Sequence, residues 1–248
     1  MQTIYTKSIQ RTLLGAAAAL LIGLASAQTP KEVTPIDPPQ PTSNDGTIEV
    51  LEFFDYGCIH CANLEPPLEA WVAKLPADVK FRRAPAGFGS GGVDSIPIFF
   101  TLEAMGQVDR LHKKLFEAVF NERVMLGNKS VLLKWLEKQG VDPKQYESIE
   151  KSFSVQSKIM RARQMPGLYR VTATPMITVN GRFVVQQVGG SAAFFGTIDR
   201  LIANARVGSA PAKATPAAPS KAAAATPAAP AKTTPAKAPA SPPTPATK

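Results

Sequence analysis

Cys58-Ile59-His60-Cys61 stands at a seam between two kinds of sequence. Before it, Ile48-Glu49-Val50-Leu51-Glu52-Phe53-Phe54 is a short apolar run rich in strand formers; after it, Leu64, Leu68, Trp71, Val72 and Leu75 recur at helical spacing. The run reads as a buried central strand and the recurrence as a helix packed on it. The close cysteine pair therefore falls where a strand hands over to a helix, which commits this part of the chain to a strand–helix layer. Pro66 and Pro67 fall inside the helix and are expected to kink it or divide it.

The chain holds only two cysteines and two histidines, His60 and His112. A structural zinc site wants four Cys or His ligands. His60 lies between the two thiols and His112 lies far along the chain, so no metal is expected. An inert disulfide is the plainer alternative. A loop closed over two intervening residues gains little from closure entropy, so stability is a poor reason to keep it. Between a strand and a helix start, C-x-x-C reads as a redox pair. Cys58, at the helix start, would feel unsatisfied N–H groups and the positive dipole end, both favouring a thiolate. It is expected to be the exposed, attacking thiol, with Cys61 one turn inward resolving a mixed disulfide or re-forming the internal bond. His60 is expected to donate to the Cys58 sulfur or to carry positive charge beside it; its alternative is a solvated helix-start residue.

The remaining pattern is α/β with an inserted helical block. Val79-Lys80-Phe81-Arg82-Arg83 alternates as a second strand. From about Ser95 to Tyr169 the period is helical, with Val108, Leu111, Leu115, Val119 and Phe120 on one stripe and Val131, Leu132 and Leu136 on another. Gly106, Gly127, Gly140 and Pro166 punctuate it, and Asp142-Pro143 resembles an N-cap and first-turn proline. Met176–Val179 and Arg182–Val185 are alternating runs joined by Asn180-Gly181, a strong hairpin signal. A closing helix follows, with Ser191 as the expected N-cap and Phe194, Phe195, Ile198, Leu201 and Ile202 as its apolar face.

Both ends of the chain read as something other than fold. Lys7 and Arg11, the apolar run Leu13–Ala25 and the small residues Ala25-Ser26-Ala27 form a secretory signal over residues 1–27. A membrane anchor is the alternative, but such a run spans only about 20 Å of helix against a hydrocarbon core of about 30 Å. Residues 28–46 carry five prolines and read as a linker. Residues 207–248 are rich in Ala, Pro and Lys, and from Gly208 onward contain no Val, Ile, Leu, Met or aromatic residue. Such a tail cannot offset its ordering entropy and is expected to be extended, or to tether to an anionic surface. That leaves residues 47–206 as one domain. Of the formal +9 charge, the signal supplies +2, the linker −2 and the tail +5, leaving +4 on the domain. This surplus, without basic–aromatic interleaving, argues against nucleic acid as a partner.

Leu51-Glu52-Phe53-Phe54, then Cys58-Ile59-His60-Cys61, then Thr174-Pro175 before a hairpin with Val179-Asn180-Gly181, together resemble the DsbA family of the thioredoxin superfamily. The likeness covers most of Val50–Arg206. It implies a thioredoxin-like fold with the helical insert, and a periplasmic enzyme that passes a Cys58–Cys61 disulfide to reduced, newly exported proteins. It also implies a monomer without cofactor, recharged by a DsbB-type quinone-linked membrane oxidase. Glu52 matches the acid that moves the buried cysteine's proton in that family. The alternative for Glu52 is an ion pair with Arg82 or Arg83. Pro175 matches the cis-proline that faces the active site, leaving the Thr174 backbone free to pair with substrate; an ordinary trans proline is the alternative. Three positions depart from the family pattern: Ile59 replaces the usual proline, Arg83 stands where lysine is common, and Thr174 is also found in the isomerase branch. An isomerase or reductase therefore stays open as a function, and so does a non-catalytic envelope-binding module.

Overall fold

The computed structural model describes residues 32–43 and 45–209, so the segment read as a signal, 1–27, and all but the first three residues of the stretch read as a tail, 207–248, lie outside the described residues. All of the described residues belong to one compact unit. Five strands form one sheet in the order β1-β5-β4-β2-β3: β1 is Val33–Pro35, β2 Ile48–Phe54, β3 Val79–Pro85, β4 Met176–Val179 and β5 Phe183–Gln186. β2 runs parallel to β3 and antiparallel to β4, and β5 is antiparallel to both β4 and β1. Every residue of β2 is buried, as expected of a central strand.

The helix after the cysteine segment, α1, spans Ile59–Val72 and stays whole through Pro66 and Pro67. Pro66 and Asn63 are exposed, so water can reach the outer face where the missing N–H groups leave carbonyls free. Five helices make the insert: α2 Ser95–Ala104, α3 Val108–Phe120, α4 Lys129–Lys138, α5 Pro143–Glu150 and α6 Phe153–Leu168. Asp142 caps α5 through the Lys144 N–H at 2.9 Å, with Pro143 in the first turn as its sequence indicates. α6 runs through Pro166 rather than stopping at it. The last helix, α7, starts at Ser191 itself and continues to Ser209; the Phe194 N–H bonds to the Gly190 carbonyl, one residue before the expected cap.

Side chains alternate across β2 and sort the core. Val50 packs with Leu64 and Leu68 of α1 and Phe194 and Ile198 of α7, whereas Leu51 and Phe53 face Tyr169, Val171 and Val184 on the other side. Phe54 and both cysteines join the core of the insert with Leu111, Leu115, Phe116 and Trp135. The active segment is thus a shared wall between sheet and insert.

One sequence reading needs correction. Part of the segment read as a linker is sheet: Val33 pairs with Val185 and Pro35 with Phe183, and Ile36 is buried. Gln40 N–H then bonds to the Gly181 carbonyl at 2.8 Å. Proline has no N–H to give to the ladder and so is kept out of central strands, but on an outermost strand its nitrogen can face away from the sheet. The hairpin turn accommodates this strap. Asn180 and Gly181 both have positive φ, and a Cβ on Gly181 would lie 2.1 Å from the Gln40 carbonyl oxygen.

Candidate active site

β2 delivers the chain to Asp55-Tyr56-Gly57, which turns it into α1 with Cys58 as N-cap in extended conformation (φ −94°, ψ 112°). The Cys58 sulfur accepts the Cys61 N–H at 3.4 Å, one of the helix's unpaired donors. Asp55 holds the turn: its carboxylate accepts from Gly57 N–H at 2.9 Å, Ser90 N–H at 3.3 Å and the Ser95 hydroxyl at 2.7 Å. Ser95 Oγ in turn accepts the Tyr56 N–H at 2.8 Å, tying the turn to the first residue of α2. Gly57 is required by close approach, since a Cβ there would sit 1.7 Å from the Ser90 carbonyl oxygen.

Both cysteines are free thiols and both are buried, Cys58 at 8% exposure rather than open as its sequence position suggests, and their electrostatics are opposite. Donation from the Cys61 thiol, against an opposing push from burial, brings Cys58 down to about 5, helped by Thr174 and by the N–H groups of Cys61 and His60. Burial and the neighbouring Cys58 raise Cys61 far above the ordinary thiol range, and its side chain is fully covered. Cys58 is therefore the thiolate at neutral pH and Cys61 the proton holder.

The Thr174–Pro175 peptide is cis, and the Cys58 thiol meets the Thr174 carbonyl at 3.2 Å. An open hollow beside the sulfur is lined by His60, Ala173, Thr174, Pro175, Gln186, Gln187 and Gly189. His60 is exposed on its rim; its backbone N–H, rather than its ring, approaches the sulfur.

Beneath Cys61 lies a buried polar cluster. Glu52 on β2 is in register with Arg83 on β3, and Arg83 Nε lies 3.3 Å from Glu52 Oε2. The same guanidinium donates to Glu65 of α1, whose other oxygen is 3.4 Å from His112 Nε2 on α3. His112 Nδ1 is 3.0 Å from the Tyr56 hydroxyl, and its ring is packed edge-on by Phe54 and Phe116. Burial pushes Glu52 up to about 8, despite Arg83. Burial would also raise Glu65, but His112 and Arg83 hold it below the ordinary carboxyl range. Arg82 is not part of this cluster. It pairs with Glu49 at 2.8 Å on the opposite face of the sheet, so of the two arginines only Arg83 reaches Glu52.

The structure thus gathers Cys58, Cys61, Thr174 and Pro175, with His60 at the rim and Glu52 below. Sequence reasoning did not single out Asp55, Tyr56 or Glu65, and set His112 apart from the cysteines. Glu65 carried a signal: it stands among Cys61, Leu64 and Leu68 on the inward face of α1, where an acid requires a partner.

An unequal thiol pair at a helix start, facing a proline loop across a mixed sheet, defines a thioredoxin-fold thiol–disulfide oxidoreductase. Residues 92–199 match the DSBA-like thioredoxin domain. The DsbA protein of Bordetella parapertussis, a thiol:disulfide interchange protein, is 35% identical over 207 residues, covering 82% of this chain and 98% of that protein. That of Pseudomonas aeruginosa is 36% identical over 198 residues, 77% of this chain and 93% of its own. The crystal structure of Pseudomonas aeruginosa DsbA superposes with a TM-score of 0.66 at 35% identity, covering 71% of this chain and 93% of that one. The Xylella fastidiosa DsbA structure gives 0.65 at 28% identity, covering 71% and 96%. The chain belongs to the DsbA family of thiol:disulfide interchange proteins.

Proposed function

We propose that Cys58 and Cys61 are the redox couple with which this oxidoreductase introduces disulfides into exported proteins. The observation that carries the reading is the unequal pair itself: a sulfur with depressed proton affinity at the helix N-cap, beside a fully covered thiol. A substrate thiolate attacks Cys58 of the oxidised pair. The Cys58–Cys61 bond breaks, and Cys61 leaves with the electron pair and takes a proton from Glu52. A second substrate thiolate then attacks the substrate sulfur, and Cys58 departs as a thiolate. The substrate has lost two electrons and the pair has gained them. A thiolate with a proton affinity well below that of an ordinary thiol is a good leaving group, which drives the transfer outward.

Thr174 and Pro175 line the hollow where a substrate segment would lie, with the Thr174 backbone available to it. His60, exposed on the rim, contributes charge when protonated. The protein works as a monomer in the periplasm, delivered by a cleaved signal at residues 1–27 and recharged by a DsbB-type quinone-linked membrane oxidase. The Ala/Pro/Lys-rich stretch beyond α7 takes no part in the exchange. Equilibration of the couple against a glutathione series tests the reading: an oxidising potential near that of strong disulfide donors is expected. Thr174 before Pro175 favours a second reading, isomerase activity, and a potential close to that of glutathione together with rescue of scrambled substrates would select it. Cys61→Ser should trap mixed disulfides on Cys58, and failure to trap any would remove Cys58 as nucleophile.

A further inference from the structure

The cluster under Cys61 contains more ionisable groups than a single proton partner requires. Glu52 and Glu65 are two buried carboxyls that share one guanidinium, Arg83, so both cannot be ionised there without leaving net negative charge in the interior. Electroneutrality demands one further proton among Glu52, Glu65 and His112. The three sites are not equivalent in their neighbours. Glu65 accepts a hydrogen bond from Arg83 and has His112 Nε2 3.4 Å from its other oxygen, a close approach outside hydrogen-bond geometry, whereas neither Glu52 oxygen accepts any hydrogen bond. His112 is 4% exposed, and its orientation is fixed by the Tyr56 hydroxyl on Nδ1 and by the rings of Phe54 and Phe116. With Tyr56 donating to Nδ1, the imidazole proton sits on Nε2, 3.4 Å from the Glu65 carboxylate.

We propose that His112, oriented by Tyr56, is a positioning residue that keeps Glu65 ionised against Arg83 and so assigns the shared buried proton to Glu52, beside Cys61. The inference rests on the reading of Glu52 as proton partner and adds the device that loads it. Glu65 and Glu69 face the imidazole from α1, Arg83 from β3 and Tyr56 from the turn before α1; Lys113, next to His112 on α3, is engaged by Glu69. Of these, Glu65 is the anion that approaches Nε2 within 4 Å. Without that donor, Glu65 becomes the better place for the proton and Arg83 turns to an ionised Glu52. Cys61, on leaving Cys58, would then find a carboxylate where it needs an acid.

The test is a pH titration of the side-chain carboxyl carbons of the reduced protein by carbon-13 NMR, with Glu52→Gln and Glu65→Gln assigning the signals. In the unaltered protein Glu52 is expected to titrate well above the ordinary carboxyl range and Glu65 below it. In His112→Leu the proton affinity of Glu52 should fall by about tenfold or more, and that of Glu65 should rise. Tyr56→Phe, which removes only the orienting hydroxyl, should shift both in the same directions by less. His112→Gln, whose amide can still donate to Glu65, should restore most of the original order. If His112→Leu and Tyr56→Phe lower the thermal midpoint but leave the Glu52 midpoint in place, His112 is a packing residue and the inference fails alone. If Glu52 titrates as an ordinary carboxyl in the unaltered protein, the proton-partner reading fails and takes the inference with it. Should His112→Leu not fold, the Gln and Tyr56→Phe variants still decide between these outcomes.

Discussion

The Cys58 sulfur stands 3.2 Å from the Thr174 carbonyl oxygen, across 116 residues of chain. The contact joins the first half of the sheet to the second, because Cys58 follows β2 and Thr174 leads into β4, its antiparallel neighbour. A thiol can donate to that carbonyl and a thiolate cannot. The donors left to the thiolate are the Cys61 thiol, which contributes most, the Thr174 side chain, and the N–H groups of His60 and Cys61 at the start of α1.

Those donors act only on the reduced form, which sets the sign of a pH effect on stability. The folded-state proton affinity of Cys58 is depressed to about 5. The stabilisation is fully present above the unfolded thiol's ordinary range, still partly present at neutral pH, and lost as pH falls through about 5. We expect the reduced protein to melt above the oxidised protein at pH 7 and the gap to close by pH 4. Calorimetry of both redox forms across that range would show it, and a gap independent of pH would contradict the thiolate assignment.

Glu52 has the opposite sign. Its proton affinity is raised to about 8, so the stability gained by holding that proton is complete below the ordinary carboxyl range and disappears as pH rises through about 8. Glu52→Gln, a neutral mimic of the protonated acid, should make the reduced protein more stable than the parent at pH 9. The same change should slow resolution of a mixed disulfide through Cys61 by at least about tenfold, since general acid–base groups contribute on that scale or above it. Rapid-quench measurement with a cysteine peptide separates this from any effect on Cys58 attack.

Much of this arrangement was legible in the chain. The apolar run before Cys58, the two helical stripes and Asn180-Gly181 each carry a local period or turn chemistry, so strand, insert and hairpin fall where the pattern puts them. β1 was not legible because three residues ending in Pro35 have no period to read, and its partner Val185 lies about 150 positions away. The polar cluster escaped for a related reason. Glu52, Glu65, Arg83 and His112 sit on β2, α1, β3 and α3, and no spacing in one segment encodes a meeting of four elements. Glu52 drew notice through the family resemblance and as an acid within an apolar run, but its partners Glu65 and His112 did not.

Gly57 gives a steric prediction. A methyl group there would overlap the Ser90 carbonyl, and backbone cannot step aside by changing rotamer. Gly57→Ala should cost about 2–3 kcal/mol in urea unfolding. It should also raise the pH at which Cys58 is alkylated, because the turn that places its sulfur on the helix N-terminus is displaced. An unchanged alkylation profile would show that the turn absorbs the methyl elsewhere.

Ile36 tests whether the strap is part of the fold. It is 3% exposed and packs with Leu51, Phe53 and Val184. Truncation to alanine should cost about 2–4 kcal/mol, as for a core position and unlike a linker residue. A loss under half a kcal/mol in chemical denaturation would return the segment to linker status.

The strap has a further consequence. Without Val33–Pro35 the hairpin strand β5 would offer an open row of backbone donors and acceptors beside the hollow at Gln186. A protein that exchanges disulfides with other protein chains meets backbone segments that could extend any such sheet. β1 occupies the row with three residues and stops at a proline; at the far side β3 carries Lys80, Arg82 and Arg83 and ends at Pro85. Both margins of the sheet are thus poor templates for aggregation, and a client chain is left to engage the protein through its cysteine and the short stretch around it, from which it can depart once its disulfide is made.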